Sequence, residues 1–558
     1  MFAPLRKPLA AIAAAALVTV TALAAPIPTA SATGASGQQI SAGLRAYFVI
    51  TAPGATAAAG NAVKAGGGTV YAAYDAIGVI VAHSTAPDFA TKVRAAQGVQ
   101  KVGATRTSDI PAAAANPAIP AAPAQVPVSS PEVPRPDMTQ IGADKAWAVN
   151  PGKPSITVAV LDTGVDDQHA DLKANFDASR SASCAYGKAD TRPGAWRPVQ
   201  EHGTHVAGTI AAAKDGKGMV GVAPGVKVSS IRVAEPGTSL FFPENTVCAF
   251  MFAADKGVSV TNNSYYVDPW MFLCPDNQDQ AAILEAVKRS TDYADRKGVV
   301  NVAAAGNEDT DLANKTSDST SPNDSTPAAR SITNDCLDLP AEIPGVVSVS
   351  AVGMLGTKAA FSNYGTGKIH VAAPGEGVYS TVPGGRYAAN SGTSMAAPHV
   401  AGVAALVRSA DPKLTPAQVR AKLASQANDL TCPASSGGEC TGTPENNSYY
   451  GEGMVDAAEA VGAESVDPPT SGGGRLSITG PATQLGFTGL PVIPVQLKAI
   501  SKVTYKAINL PTGLSLTPEG LISGVTSARP GEYAVLVSAK DASGRTGVKV
   551  IRWTVWGF

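Results

Sequence analysis

From about Met138 to Ala463 short apolar runs alternate with longer segments of helical period. The runs Ile156–Leu161, Val226–Ile231, Val258–Thr261, Val299–Val302, Val346–Val349 and Ile369–Val371 predict strands. Helical spacing falls over residues 204–213, 244–256, 280–297, 394–410 and 416–426. Thr415-Pro416-Ala417-Gln418 supplies a capping box with proline at the first helical position. The strand runs show almost no polar alternation, so both faces of the sheet must be covered. The pattern therefore predicts an α/β unit, a parallel sheet with helices on both faces.

The flanks read differently. Residues 33–110 give strand and helix patterns in the order β-α-β-β-α-β, which fits a ferredoxin-like α+β unit. Residues 111–137 turn rich in proline and alanine and predict an exposed, extended linker open to proteolysis. A second linker spans 464–475. The tail, 476–558, has short strand runs and turn signals but no helical period, and predicts a small β-sandwich. At the front, Arg6 and Lys7 precede an apolar run from Leu9 to Ala25, then Thr29-Ala30-Ser31-Ala32. Residues 1–32 thus predict a cleaved secretory leader, and hence a secreted, extracellular product.

Composition narrows the picture. A length of 558 residues suits three to four domains of roughly 150 residues each. Lys plus Arg is 43 and Asp plus Glu 44, a formal net charge of −1, so the balance makes no strong electrostatic case for a nucleic-acid partner and none is expected. No apolar run of membrane-spanning length follows the leader, which predicts no membrane association after its removal. The 6 cysteines all lie downstream of the leader and suggest three disulfides, with fifteen formal pairings. Their spacing lacks the C-x-x-C of a zinc site. Cys432 and Cys440 flank a turn-prone loop and are the favoured pair.

Three segments carry candidate chemistry. Val160-Leu161-Asp162-Thr163-Gly164 ends an apolar run with an acid and a turn. His202-Gly203-Thr204-His205 opens a helix, and Ser391-Gly392-Thr393-Ser394-Met395 opens another. A serine hydroxyl is a weak nucleophile that needs a base to take its proton, and a buried carboxylate fixes the base's tautomer. Asp162, His202 and Ser394 fit those roles. With a fourth segment, Ala303-Ala304-Ala305-Gly306-Asn307, this part of the chain resembles the subtilisin-like serine proteases, over about Met138 to Val461.

The resemblance implies a secreted serine endopeptidase made as a self-processed preproenzyme. It would act as a monomer on protein or peptide substrates, with no cofactor for catalysis. Asn307 would donate to the oxyanion beside the Ser394 N–H, and Ser264, Tyr265, Tyr266 and Gly306 would line the substrate site. The 33–110 unit resembles the family's propeptide, an intramolecular inhibitor. The tail segment Leu510–Gly524 is similar to immunoglobulin-like modules of secreted bacterial proteins. The family alignment implies a Cys274–Cys336 bridge and with it Cys184–Cys248, and a structural calcium site at Asp171 and Asp215. One departure stands out: Tyr266 occupies a position where many subtilases have glycine, so no preference for large apolar side chains carries over. The polar stretch Asp309–Asn334 follows Asn307 and is unusually long. His205 and His399 read as structural, while His83, His169 and His370 show no partner pattern. The other reading is a non-catalytic subtilase-like protein that binds or adheres through its C-terminal β domain.

Overall fold

The computed structural model describes residues 43–558 except 129, 134, 434–435, 437, 464–477, 482, 500–501, 542–545 and 558. The expected leader and the 464–475 linker lie outside the described residues. The N-terminal unit is β1 (Arg45–Thr51), α1 (Thr56–Ala65), β2 (Gly68–Tyr74), β3 (Val79–Ser84), α2 (Phe89–Arg94) and β4 (Val99–Ala104). Its antiparallel sheet has the order β2-β3-β1-β4. Alternation along β1 divides two cores. Val49 packs with Val63, Ile80 and Phe89 beneath the unit's own helices. Phe48 and Ile50 join Ile283 and Val287 on the far side.

The middle of the chain runs through α3 (Pro136–Gln140), α4 (Ala143–Val149), β5 (Thr157–Asp162), α5 (Ala170–Lys173), β6 (Ala182–Ser183), α6 (His202–Ala211), β7 (Lys227–Arg232) and α7 (Pro243–Asp255). It continues with β8 (Val260–Asn263), α8 (Gln278–Arg296), β9 (Val300–Ala304), β10 (Ser317–Asp318), β11 (Arg330–Ser331), β12 (Val347–Val352) and β13 (Val371–Pro374). A hairpin of β14 (Val378–Val382) and β15 (Arg386–Asn390) precedes α9 (Thr393–Ala410) and α10 (Pro416–Ser425).

Seven of these strands form a parallel sheet in the order β13-β12-β9-β8-β5-β7-β6. Both faces are buried, as the apolar runs require. Val158 and Val160 of β5 face α6 and α9 through Val206, Ile210, Val400 and Val403. Ala159 and Leu161 face α7 and α8 through Val247, Phe250 and Ile283. The capping box at Thr415 and Gln418 is present.

Two strands start two residues later than expected: β8 is Val260–Asn263 rather than Val258–Thr261, and β13 is Val371–Pro374 rather than Ile369–Val371. The polar end of β8, which the apolar pattern passes over, is buried with both side-chain NH2 groups bonded. Asn262 Nδ2 donates to Ser264 Oγ at 2.9 Å and Asn263 Nδ2 to the Val302 carbonyl at 2.9 Å.

Cys184–Cys248, Cys274–Cys336 and Cys432–Cys440 are all bonded, with Cα separations of 5.6, 4.0 and 5.5 Å. In the tail a four-stranded and a three-stranded sheet enclose Trp553, Ile551, Val535 and Ile522, a small sandwich. Among the described residues no helix is long and apolar enough to cross a membrane.

Candidate active site

Parallel strands bring chemistry to their C-terminal ends, and three of them do so here. Asp162 closes β5, fully buried. His202 opens α6, and its Nδ1–H donates to both Asp162 oxygens, at 2.8 and 3.0 Å. That approach depends on Gly203. A Cβ there would sit 2.4 Å from the Gly164 carbonyl and 3.1 Å from Asp162 Cβ. Burial disfavours the charged imidazole, but the Asp162 carboxylate more than offsets it, with Glu201 adding to the effect. The His202 pKa therefore stands above its usual 6.5.

Ser394 lies in the first turn of α9, which packs against α6, β8 and β9. Its hydroxyl donates to the Ser264 carbonyl at 3.2 Å, and Ser264 Oγ donates back to the Ser394 carbonyl at 2.9 Å. Asn307 follows β9 after Gly306, whose φ of 99° no side chain would favour. Asn307 Oδ1 accepts from the Thr393 N–H at 2.8 Å and the Thr393 hydroxyl at 3.0 Å, which turns Nδ2 outward as a donor. A Cβ placed on Gly392 would lie 3.6 Å from the Ser394 nitrogen and 3.8 Å from Asn307 Nδ2. Glycine leaves that space open, and both donors border it.

The remaining expected residues divide. Tyr265 is buried, its ring stacked on Phe241 at 4.6 Å and its hydroxyl donating to Asn263 Oδ1. Tyr266 instead meets the 309–334 stretch, where Asn323 Nδ2 donates to its hydroxyl at 2.8 Å. His205 donates from Nε2 to the Val378 carbonyl, and His399 bridges the Met395 carbonyl and Asp137. His169, without a pattern in the sequence, caps α5 by accepting from the Asp171 N–H.

Asp171 and Asp215 are each engaged by the protein itself. Asp171 Oδ2 accepts from the Met219 N–H at 3.0 Å and from the Tyr387 hydroxyl at 2.8 Å. Asp215 points its Oδ1 at the Lys217 N–H in its own loop. Among the described residues no three acidic, histidine or cysteine side chains converge on a metal position.

The profile of the Subtilase family matches residues 153–453. The chain belongs to the subtilase family. Subtilases are hydrolases, and this one is a serine protease by descent, its family match covering the parallel sheet and all four motifs.

Subtilisin DY from Bacillus licheniformis is 32% identical over 321 residues, 58% of this chain and 96% of that protein. Subtilisin E from Bacillus subtilis is 33% identical over 307 residues, 55% of this chain and 66% of the relative. The epidermin leader peptide processing serine protease of Staphylococcus aureus shares the fold, with a TM-score of 0.58 and 22% identity over 75% of this chain and 98% of that one. Residues 477–556 match the family described as "Putative Ig domain".

Two supports of this subtilase site escape the sequence reading. Thr393 stands inside the serine motif, yet only the fold shows it orienting Asn307. Asn363 holds the turn after Gly306 by accepting from the Glu308 and Thr310 N–H groups and donating to the Ala305 carbonyl. It lies 55 residues from Glu308, and nothing local marks it.

Proposed function

We propose that this subtilase is a secreted serine endopeptidase with Asp162, His202 and Ser394 as its triad and Asn307 in its oxyanion hole. The observation that carries the reading is the pairing of two fixed elements. The His202 imidazole is locked onto a buried carboxylate, and an Asn307 amide is locked by Thr393 beside the Ser394 N–H. For reaction, the Ser394 hydroxyl turns from the Ser264 carbonyl toward His202, which takes its proton as the oxygen attacks the scissile carbonyl. The Asp162 carboxylate stabilises the imidazolium that forms. Asn307 Nδ2 and the Ser394 N–H meet the developing oxyanion, and His202 returns the proton to the leaving amine. Nucleophile, base and donors all come from the chain, so the mechanism uses no cofactor.

The 43–110 unit, docked on α7 and α8, suits an intramolecular inhibitor removed by self-processing. The leader pattern and three disulfides suit export of a monomer. A fluorophosphonate probe applied to the secreted protein tests the reading. Labelling is expected at Ser394, and absence of labelling on folded protein would reject it.

A further inference from the structure

Beyond the N-terminal unit's last strand, the Arg106 side chain enters the peptidase between two carboxylates. Its Nε donates to Glu244 Oε1 at 3.0 Å, Nη1 to Glu235 Oε2 at 3.1 Å and Nη2 to Glu235 Oε1 at 2.5 Å, with a further bond from Nη2 to Glu244 Oε1. The guanidinium carbon lies 3.6 Å from the centroid of the Phe242 ring, a cation–π arrangement. All three charged side chains are only 1% exposed. Asn245 Nδ2 donates to Glu235 Oε1 at 3.3 Å, while Glu244 Oε2 has no hydrogen-bond partner.

Only the guanidinium belongs to the N-terminal unit. The cage itself is residues 235–245 of the peptidase. Two buried carboxylates side by side are costly without a cation. Burial, together with the charge of Glu244, raises the Glu235 pKa even with Arg106 present.

The cage also borders the candidate site. Phe241 stacks on Tyr265, the residue after the Ser264 whose carbonyl holds the Ser394 hydroxyl. A cavity of about 340 Å³ beside Arg106 is lined by Glu235, Leu240, Phe242, Asn323 and Asp324, and Asn323 in turn reaches Tyr266.

We propose that Glu235, Glu244 and Phe242 form a guanidinium pocket of the peptidase. Arg106 fills it while the N-terminal unit is attached, and an arginine of a polypeptide substrate fills it once the unit has gone. The proposal rests on the peptidase reading above. A planar fork can bond both carboxylates while covering the Phe242 face, and a lysine ammonium cannot do all three, so the pocket selects arginine over lysine.

Two measurements test it. Processed wild-type enzyme is given peptide sets in which Arg, Lys or Ala is moved through each position on the N-terminal side of one fixed scissile bond. One position is expected where Arg exceeds both Lys and Ala by about tenfold or more in kcat/KM, chiefly through KM. That Arg-to-Lys ratio should fall toward one in Glu244→Gln. Arg no better than Lys at every position, or a preference that survives Glu244→Gln, overturns the proposal.

The second measurement needs no turnover. In the full-length chain carrying Ser394→Ala, Arg106→Ala should lower the thermal midpoint, and millimolar methylguanidinium should restore it saturably where methylammonium does not. Equal rescue by the two cations, or none, overturns the pocket. Should Arg106→Ala not fold, the wild-type peptide sets decide alone. A wild type that cleaves no peptide in any set rejects the peptidase reading, and the rescue still decides the pocket.

Discussion

His202 is pulled two ways, by burial toward the neutral ring and by Asp162 toward the charged one, and the carboxylate wins. Only the neutral imidazole can act as base, so a raised pKa moves the acidic limb of kcat/KM upward. That limb is expected above pH 6.5 in the wild type. In Asp162→Asn burial is opposed only by the weaker effect of the Glu201 charge, so the limb should move to lower pH while kcat drops by about 10⁴-fold. A limb unmoved by that change would detach the carboxylate from the titration. On the proposed mechanism Asn307→Ala removes one oxyanion donor and should lower kcat by about 10²–10³ with KM little changed, because the bond forms mainly in the transition state. A matching rise in KM instead would make Asn307 a ground-state contact. These residues were legible in the sequence because each sits in a short run whose neighbours share its task. Asn363 and the Arg106 cage were not, since their partners lie 55 and 129–138 residues away and meet only through the fold.

At the scale of elements, apolar runs locate a strand but not its ends. Strands β5, β7, β9 and β12 each start one residue later than expected, β9 and β12 run on two and three residues further, and β13 starts two residues late. β8 slides toward its buried asparagines, and β14–β15, a polar hairpin whose β15 is half exposed, leaves no apolar signature. The 309–334 insertion has little apolar anchoring of its own. The Cys274–Cys336 bridge supplies it, closing a loop with a sequence separation of 62. Removing both cysteines should cost on the order of 4 kcal/mol in the chain-entropy model and open the insertion first. Limited proteolysis checks this, and first cuts elsewhere would argue that the bridge holds another segment. Near α5, the Tyr387 hydroxyl and the Met219 N–H satisfy Asp171 Oδ2 without a cation. A chelator is therefore expected to leave the half-life of thermal inactivation unchanged, and a half-life shortened several-fold would restore a cation to that place.

Across the whole molecule, the N-terminal unit is held by contacts rather than by covalent bonds. Every cysteine lies between Cys184 and Cys440, so no disulfide reaches residues 43–110. Phe48 and Ile50 lie in the same core as α8, the Ala104 N–H donates to Asp279 at 2.9 Å, and Asp324 accepts from the Thr107 and Ser108 N–H groups, both at 2.8 Å. Arg289 Nη1 donates to the Thr51 and Ile77 carbonyls at 2.6 and 3.0 Å. The connecting segment is tied to the surface by scattered single bonds: Val126 N–H to the Gly384 carbonyl, Gly218 N–H to that of Ser130, Val133 N–H to the Gly218 carbonyl, Gln125 Nε2 to Asp166 Oδ2 and Gly216 N–H to Glu132 Oε1. One cut in that segment would leave the unit docked but free to dissociate, the form in which an inhibitor can be shed. If the chain makes that cut with its own site, Ser394→Ala should be secreted as a folded precursor that retains residues 43–110, while the wild type yields a shorter species. N-terminal sequencing of both purified proteins reads the outcome. A Ser394→Ala protein that shortens in isolation would assign the cut to another protease.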